Sequence, residues 1–384
     1  MRILITGAAG FIGVNALRWL LRDTPDQLLA VDKMTYAVNQ AMISELVDAN
    51  RLRFAPIDLC DSAALFNCIE DFCPQAVIHL AAETHVDRSI DDPRPFLQSN
   101  IVGTFELLEC VRRYWNRLPI DQRDQFRFLH VSTDEVYGSL AAASPPSTEQ
   151  SVYQPRSPYS ATKASSDHLA LAWYSTFGLP VLVTHSSNNY GPYQFPEKLL
   201  PMATLRAIRG EPIPVYGHGE NVRDWIHVDD HVRALYQVLL AGTPGQTYNV
   251  GAGNECRNIE LVRKICDALD ELYPGQQNPA LPTEMRARPS FRYADLISFV
   301  TDRPGHDFRY ALDTTKLRSE LGWRPLEPLS EGIRSTVGWY LTHRDWWEGV
   351  SQAALARKGL GQALVSDEGR DSGSTGRDGR RSAL

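Results

Sequence analysis

Short apolar runs alternate with amphipathic stretches through the first half of the chain. RILIT (2–6) has the pattern of a buried strand, and FIGVNALRWLLR (11–22) has helical spacing. QLLAVD (27–32), RLRFAPIDL (51–59), QAVIHLAA (75–82), FRFLHVST (126–133) and LPVLVTHSS (179–187) read as further strands, with helical segments such as VGTFELLECVRRYW (102–115) between them. Strands alternating with helices predict crossover connections and a parallel sheet. After Tyr190 Pro and Gly become dense (GPYQFPEKLLP, EPIPVYGHG) and the elements shorten. This predicts a smaller, less regular lobe over 191–345, interleaved with the last sheet elements, after a main unit over 1–190. Residues 274–300 read as a long insertion. The stretch 351–384, rich in Gly, Ser and charge and without an aromatic residue, reads as a tail too polar to order itself.

Composition narrows the class. The 384 residues are 43% hydrophobic and 22% charged, as in a soluble globular protein, and the formal charge of -7 argues against a nucleic-acid or anionic-membrane partner. No apolar run reaches transmembrane length, and the first strand pattern starts at residue 2, so the expected compartment is cytoplasmic. The cysteines form no C-x-x-C pair, which argues against zinc or redox use.

The first candidate chemistry is GAAGFIG, which places Gly7, Gly10 and Gly13 between the first strand and the first helix, with Phe11 and Ile12 inside the run. Glycines there let the backbone approach a pyrophosphate whose charge sits at the helix N-terminus. The spacing is G-x-x-G-x-x-G rather than G-x-G-x-x-G, so the context carries the argument. Asp32 ends the second strand 19 residues past Gly13, where a carboxylate accepts from both ribose hydroxyls and repels a 2′-phosphate. That favours NAD over NADP, although Lys33 beside it is a base that would help a 2′-phosphate. Asp58 and Leu59 at the end of the third strand, and Leu80, Ala81 and Ala82 at the end of the fourth, fall on the same sheet edge. The fold class is therefore α/β: a Rossmann-type doubly wound parallel sheet with a smaller, mixed α/β C-terminal substrate lobe.

The second candidate is Tyr159-x-x-x-Lys163. Ser157 suits an N-cap and Pro158 the first helical position, so a helix begins here and the two side chains share a face. A phenol with a pKa near ~10 is a poor base at neutral pH. An ammonium at about 4 Å contributes on the order of 4 kcal/mol at an effective dielectric of ~20. The expectation is a phenol acidified by Lys163 that takes a hydroxyl proton while hydride leaves the same carbon.

Together these motifs resemble the extended short-chain dehydrogenase/reductases. DKMTYAVN, LAAETHVDRSI, STDEVYG, SPYSATKASSDHL, NNYGPYQFPEKLLP, RDWIHVDDH and TDRPGHD are similar to segments of one member family, the dTDP-glucose 4,6-dehydratases. The likeness runs from residue 1 to about 340; it departs at Val38, where the family usually has Gly, and at 274–300. It implies that Lys33, Thr35, Ser99 and Asn189 join the NAD site and that Thr84 touches the sugar. It implies that Asn188, Lys198, Leu199, Pro214, Val215, Tyr216, Arg223, Asn258, Asp302, Arg303 and His306 hold the nucleotide and diphosphate. It further implies a homodimer formed through the helices at 102–115 and 159–177.

Thr133-Asp134-Glu135 follows the strand 126–133 on the cofactor's edge. Removing water across C5 and C6 of a hexose needs a base for the C5 proton and an acid for the C6 hydroxyl. The C5 hydrogen becomes acidic only when C4 is a ketone, so oxidation comes first and the hydride then returns to C6. Two carboxyls in unlike environments can be that acid and base. The residues alone do not assign the roles; the resemblance makes Asp134 the acid and Glu135 the base, with Thr133 on the C4 oxygen. Carboxylates after a strand also cap turns, which is the plain alternative. A 4,6-dehydratase of a UDP- or GDP-hexose, an epimerase or decarboxylase of nucleotide-sugars, and a non-catalytic NAD-binding regulator are the rival readings. His227 and His231 stand four apart beside Asp229 and Asp230, but a helix opening there explains the acids, and no metal is expected.

Overall fold

The structure, a computed structural model, describes residues 1–35, 38, 43, 45–46, 50–303 and 305–348. The tail expected at 351–384 lies outside them. The first lobe is built from β1 (Arg2–Thr6), α1 (Phe11–Asp23), β2 (Gln27–Val31), β3 (Leu52–Ala55), α2 (Ser62–Phe72), β4 (Ala76–His79), α3 (Gly103–Trp115), β5 (Arg127–Thr133), α4 (Pro158–Phe177) and β6 (Val181–Ser186), numbering helices of ten residues or more. The chain continues with β7 (Asn188–Tyr190), α5 (Leu199–Ile208), β8 (Ile213–Tyr216), β9 (Val222–His227), α6 (Val228–Ala241), β10 (Thr247–Val250), β11 (Glu255–Arg257), α7 (Asn258–Leu272), β12 (Ile297–Val300) and α8 (Leu329–Thr342), of which α6 and β10 join the first lobe and the rest build the second.

Seven strands form one parallel sheet in the order β10-β6-β5-β4-β1-β2-β3. Both faces are buried, which is why the strands read as near-continuous apolar runs. Ile3, Ile5, Ile78 and Leu129 pack with Leu17 and Leu20 of α1 and Leu235 and Val238 of α6. Leu4, Val77, Phe128 and Val183 face Ile69 of α2, Leu107 and Val111 of α3 and Ala170 of α4. The edge strand β10 comes from beyond residue 190, so the two halves of the chain interleave in this sheet.

Two expectations change. The third strand stops at Ala55, because Pro56 has no N–H to donate to a ladder; Asp58 and Leu59 lie in the loop beyond it. The stretch 274–300 is no appendage. Leu281, Phe291 and Tyr293 are buried in the second lobe's core, and β12 runs parallel beside β8.

Candidate active site

The glycine loop is held by contacts that only glycine allows. Gly7 has φ +67°, and a Cβ there would meet the Ala81 nitrogen at 2.5 Å. A Cβ on Gly13 would meet the Gly7 carbonyl oxygen at 2.2 Å. Gly10 caps α1 without a side chain, so the helix N-terminus is open to an anion. Asp32 follows β2 and accepts from the backbone N–H of Ala9 (3.1 Å) and of Met34 (2.8 Å), which locks the loop to the acidic position. Burial raises its pKa, offset by those two N–H groups and by Lys33.

One cavity runs along this edge. It is lined by Gly7, Gly10, Phe11, Ile12, Gly13, Asp32, Lys33, Thr35, Asp58, Leu59, Leu80, Ala81, Ala82, Ser99, Thr84 and Lys198, all expected from the sequence. Lys33 donates to Ser99 Oγ (2.6 Å) and lies 3.8 Å from the Glu83 carboxylate, so its charge is answered within the protein. The cavity also takes in Ile57, Glu83, Gly103, Gln194, Phe195 and Glu197, to which the sequence reading gave no role. Gln194 to Glu197 sit inside the NNYGPYQFPEKLLP block, which was the available signal. Val38, the departure from the family's usual glycine, lines it too. A close backbone cradle, an open helix N-terminus and a buried carboxylate just past β2 together fit NAD. Of the residues expected at the cofactor, Asn189, Tyr159 and Lys163 are not among those that line this cavity. Asn189 Oδ1 is 2.8 Å from His231 Nδ1 and its amide nitrogen donates to Ser187 O. His227 caps α6 through Nδ1, and Asp230 accepts from the N–H groups of Leu326 and Glu327, so these residues have structural work.

Helix α4 starts where the sequence placed it, with Ser157 and Ser160 forming a reciprocal capping box. Tyr159 is 7% exposed and Lys163 4%. The acidified phenol is not what the protein alone holds. Lys163 Nζ donates to Val131 O at 2.9 Å, and burial followed by the Glu135 charge raises the Tyr159 pKa, against a lowering hydrogen bond from Thr133. Burial pushes Lys163 down to about 8, with Asp167 acting the other way.

Thr133 ends β5 and caps the short 3-10 turn Asp134–Tyr137: its Oγ1 accepts from Glu135 N (3.3 Å) and lies 3.3 Å from Asp134 Oδ1. The threonine is the cap, which frees both carboxyls from that role. Asp134 is 4% exposed, and its Oδ2 has no hydrogen-bond partner. Burial, then the Glu135 charge, raise the Asp134 pKa well above the usual range. Burial also raises Glu135, but Arg303, Arg223 and Lys198 oppose it. The environments thus differ in the sense an acid and a base require.

On the nucleotide side the expected residues divide. Arg303 Nη1 donates to Asp87 Oδ1 (2.9 Å), and Tyr216 OH donates to Asp87 Oδ2 (3.4 Å). Lys198 Nζ donates to Thr84 O (2.9 Å), and His306 Nδ1 lies 2.7 Å from Asp302 Oδ1. Asn258 opens α7 with a buried, unpartnered Oδ1. Asn188 lies on β7 opposite Trp225 and Pro214 on β8 opposite Ser298. Arg223, which the resemblance puts at the nucleotide and diphosphate, is turned to backbone carbonyls. It donates to the carbonyls of Val222, Phe308 and Asp307 and stacks over Tyr310 at 4.4 Å, so most of its donors are spent. Val215, 2% exposed, is a core side chain, and Leu199 packs half-buried against the same cluster, because β8 and α5 bury that lobe's apolar face.

A family model described as GDP-mannose 4,6 dehydratase matches residues 4–336. The chain is 52% identical to the dTDP-glucose 4,6-dehydratase of Neisseria meningitidis serogroup B, over 94% of this chain and 99% of the relative. Among solved structures, it resembles a dTDP-glucose 4,6-dehydratase from Streptomyces venezuelae with NAD bound (TM-score 0.80, 39% identity, 91% of this chain and all of that one). It also resembles a UDP-glucose 4-epimerase from Thermotoga maritima (TM-score 0.74, 27% identity, 89% of this chain and 99% of that one).

Proposed function

Because the chain belongs to the dTDP-glucose 4,6-dehydratase family of the extended short-chain dehydrogenase/reductases, we propose that it converts dTDP-glucose to dTDP-4-keto-6-deoxyglucose and water with NAD as internal redox cofactor. Gly7, Gly10, Gly13 and Asp32 would hold NAD, which would supply the hydride acceptor for C4 and the donor for C6. The side chains do the rest. Tyr159 takes the C4 hydroxyl proton, with Lys163 as the nearby ammonium and Thr133 on the C4 oxygen. Glu135 removes the C5 proton, acidified by the C4 ketone, and C5 takes up a proton again as the hydride reaches C6. Asp134 protonates the C6 hydroxyl, which leaves as water. Residues 1–190 mainly hold NAD and 191–345 mainly the nucleotide-sugar, with Arg303, Lys198, Tyr216 and Asn258 the best-placed donors.

The observation that carries this reading is the carboxyl pair at 134–135, left free of capping by Thr133 and placed beside Tyr159. A 4-epimerase would share the cofactor residues and need no such pair. The test is incubation with dTDP-, UDP- and GDP-hexoses, read by mass for loss of water. The expected result is loss of water from dTDP-glucose, with deuterium at its C4 appearing at C6 of the product. Label lost to solvent refutes internal return, and a product that keeps its C6 hydroxyl refutes the dehydratase.

The same reading includes a homodimer through α3 and α4. Phe105, Tyr174 and Phe177 are exposed there, with Phe105 and Trp173 rings in edge contact, a surface suited to helix packing. It also includes a cytoplasmic setting, supported by six unpaired cysteines. Among the described residues no helix is long and apolar enough to cross a membrane.

A further inference from the structure

Beneath Tyr159 and Lys163 lies a buried polar layer to which the proposed chemistry gives no task. Thr6, His79, His130, Ser132 and His185 occupy four adjacent strands, at positions that alternate onto the face covered by α3 and α4. Thr6 Oγ1 is 2.7 Å from His79 Nδ1, and His79 Nε2 is 2.9 Å from Thr104 Oγ1 of α3. The layer converges on Asp167, eight residues after Tyr159 and four after Lys163 on α4. His130 Nε2 lies 3.0 Å from Asp167 Oδ1; Ser132 Oγ donates to Oδ2 at 2.8 Å; His185 Nε2 lies 3.1 Å from Oδ2. Tyr137 and Tyr153 close the layer on His185.

Asp167 is fully buried. A carboxylate there is costly unless paired and hydrogen-bonded. Its hydrogen bonds hold it ionised, well below the usual carboxylate range despite burial. Burial holds the His130 imidazole neutral, down at about 4. The facing groups are thus neutral His79 on β4 and His130 on β5, His185 on β6, the phenols of Tyr137, Tyr153 and Tyr159, and one ammonium, Lys163. That ammonium sits on the Val131 carbonyl of β5, the strand whose residues 130 and 132 hold Asp167.

We propose that Asp167 is a positioning residue for the reaction: its buried carboxylate is the counter-charge that keeps Lys163 an ammonium beside Tyr159, and Ser132, His130 and His185 hold that carboxylate in place. The proposal rests on the reading of Tyr159 and Lys163 as the proton-transfer pair. Among the described residues Asp167 is the charge that favours protonated Lys163, so without it Lys163 loses its proton at lower pH.

The experiment is the pH profile of kcat with dTDP-glucose for the native holoenzyme and for Asp167→Asn, with Lys163→Met alongside. The alkaline limb of Asp167→Asn is expected to move to lower pH by about one pH unit or more, while activity in mildly acidic solution stays within roughly tenfold of native. An equal loss of activity at every pH, or an unmoved profile, overturns the proposal and leaves Asp167 a structural anchor. Normal turnover by Lys163→Met overturns the reading of the pair and this proposal with it. An inactive Lys163→Met with an unmoved Asp167→Asn limb overturns this proposal alone. If Asp167→Asn does not fold, the double variant with Lys163→Met decides: folding restored by removing both charges supports the pairing, and folding still lost overturns it.

Discussion

Arg303 bonds Asp87 at 2.9 Å, joining the chain just past β12 to the short helix Val86–Asp91 of the other lobe. Tyr216 binds the second oxygen of the same carboxylate. Arg303 is therefore oriented before any diphosphate arrives, and Asp87 is the residue that orients it. In Asp87→Asn, KM for the nucleotide-sugar should rise roughly three- to tenfold with kcat changed less, a loss of up to about 1.4 kcal/mol in binding. Steady-state kinetics check this. A fall in kcat with KM unchanged would place Asp87 outside nucleotide binding.

Glu135→Gln should remove the base for C5 and leave the C4 oxidation intact. The variant is expected to reduce bound NAD, seen as absorbance near ~340 nm, and to form no 4-keto-6-deoxy product, a loss of roughly 10² or more. Asp134→Asn should slow departure of water instead, so C5 exchange with deuterated solvent should outpace product formation. Normal turnover in either variant takes that residue out of the mechanism.

Acid should destabilise the protein through its buried histidines. His79, His130 and His231 are buried, and burial lowers all three: His130 to about 4, His231 to about 3, and His79 well below its ordinary value. Between the ordinary value of about 6.5 and these lowered values the unfolded chain takes up protons that the folded one refuses, so stability falls as pH falls through that window. One pH unit below 6.5 each costs on the order of 1.4 kcal/mol. Denaturant melts at pH 7 and pH 5.5 should differ by a few kcal/mol, and His231→Asn should flatten the slope. Equal stability at the two pH values would mean that these rings accept protons in the fold.

Gly7→Ala should lose NAD before it loses the fold. The added Cβ would strike the Ala81 nitrogen at a backbone angle that L-residues avoid, and the strand beside it must move by tenths of an ångström or more. Stability should drop by about 1–3 kcal/mol. Fluorescence titration should show NAD affinity down by at least roughly tenfold. Native affinity would show that the loop relaxes elsewhere.

The cofactor half of the site was legible because its information is local. Gly7, Gly10 and Gly13 lie within one turn, Asp32 ends the next strand pattern, and Tyr159 and Lys163 share one helix face. The helix start at Pro158 was legible from two adjacent residues. What stayed hidden was long-range. That Arg223 spends its donors within the protein could not be read, because nothing near it in sequence announces the carbonyls of Asp307 and Phe308, more than eighty residues on. The Tyr159 phenol looked acidified because spacing reveals the lysine but neither the burial nor the carbonyl that holds Lys163. Val215 came in through the family resemblance alone, and a four-residue strand has too little alternation to show that its side chain faces the core. Residues 274–300 lacked periodicity, and a core built from Leu281, Phe291 and Tyr293 leaves no period to read.

Strand β5 works as a ruler. His130 and Ser132 grip α4 through Asp167, while Thr133, on the opposite side of the pleat, delivers the carboxyl turn. The spacing between phenol and carboxyls is thereby fixed by strand pitch rather than by loop length. Surface loops can grow or shrink without disturbing the reaction, but one residue gained or lost inside β5 would flip the grip and the delivery to the wrong sides together.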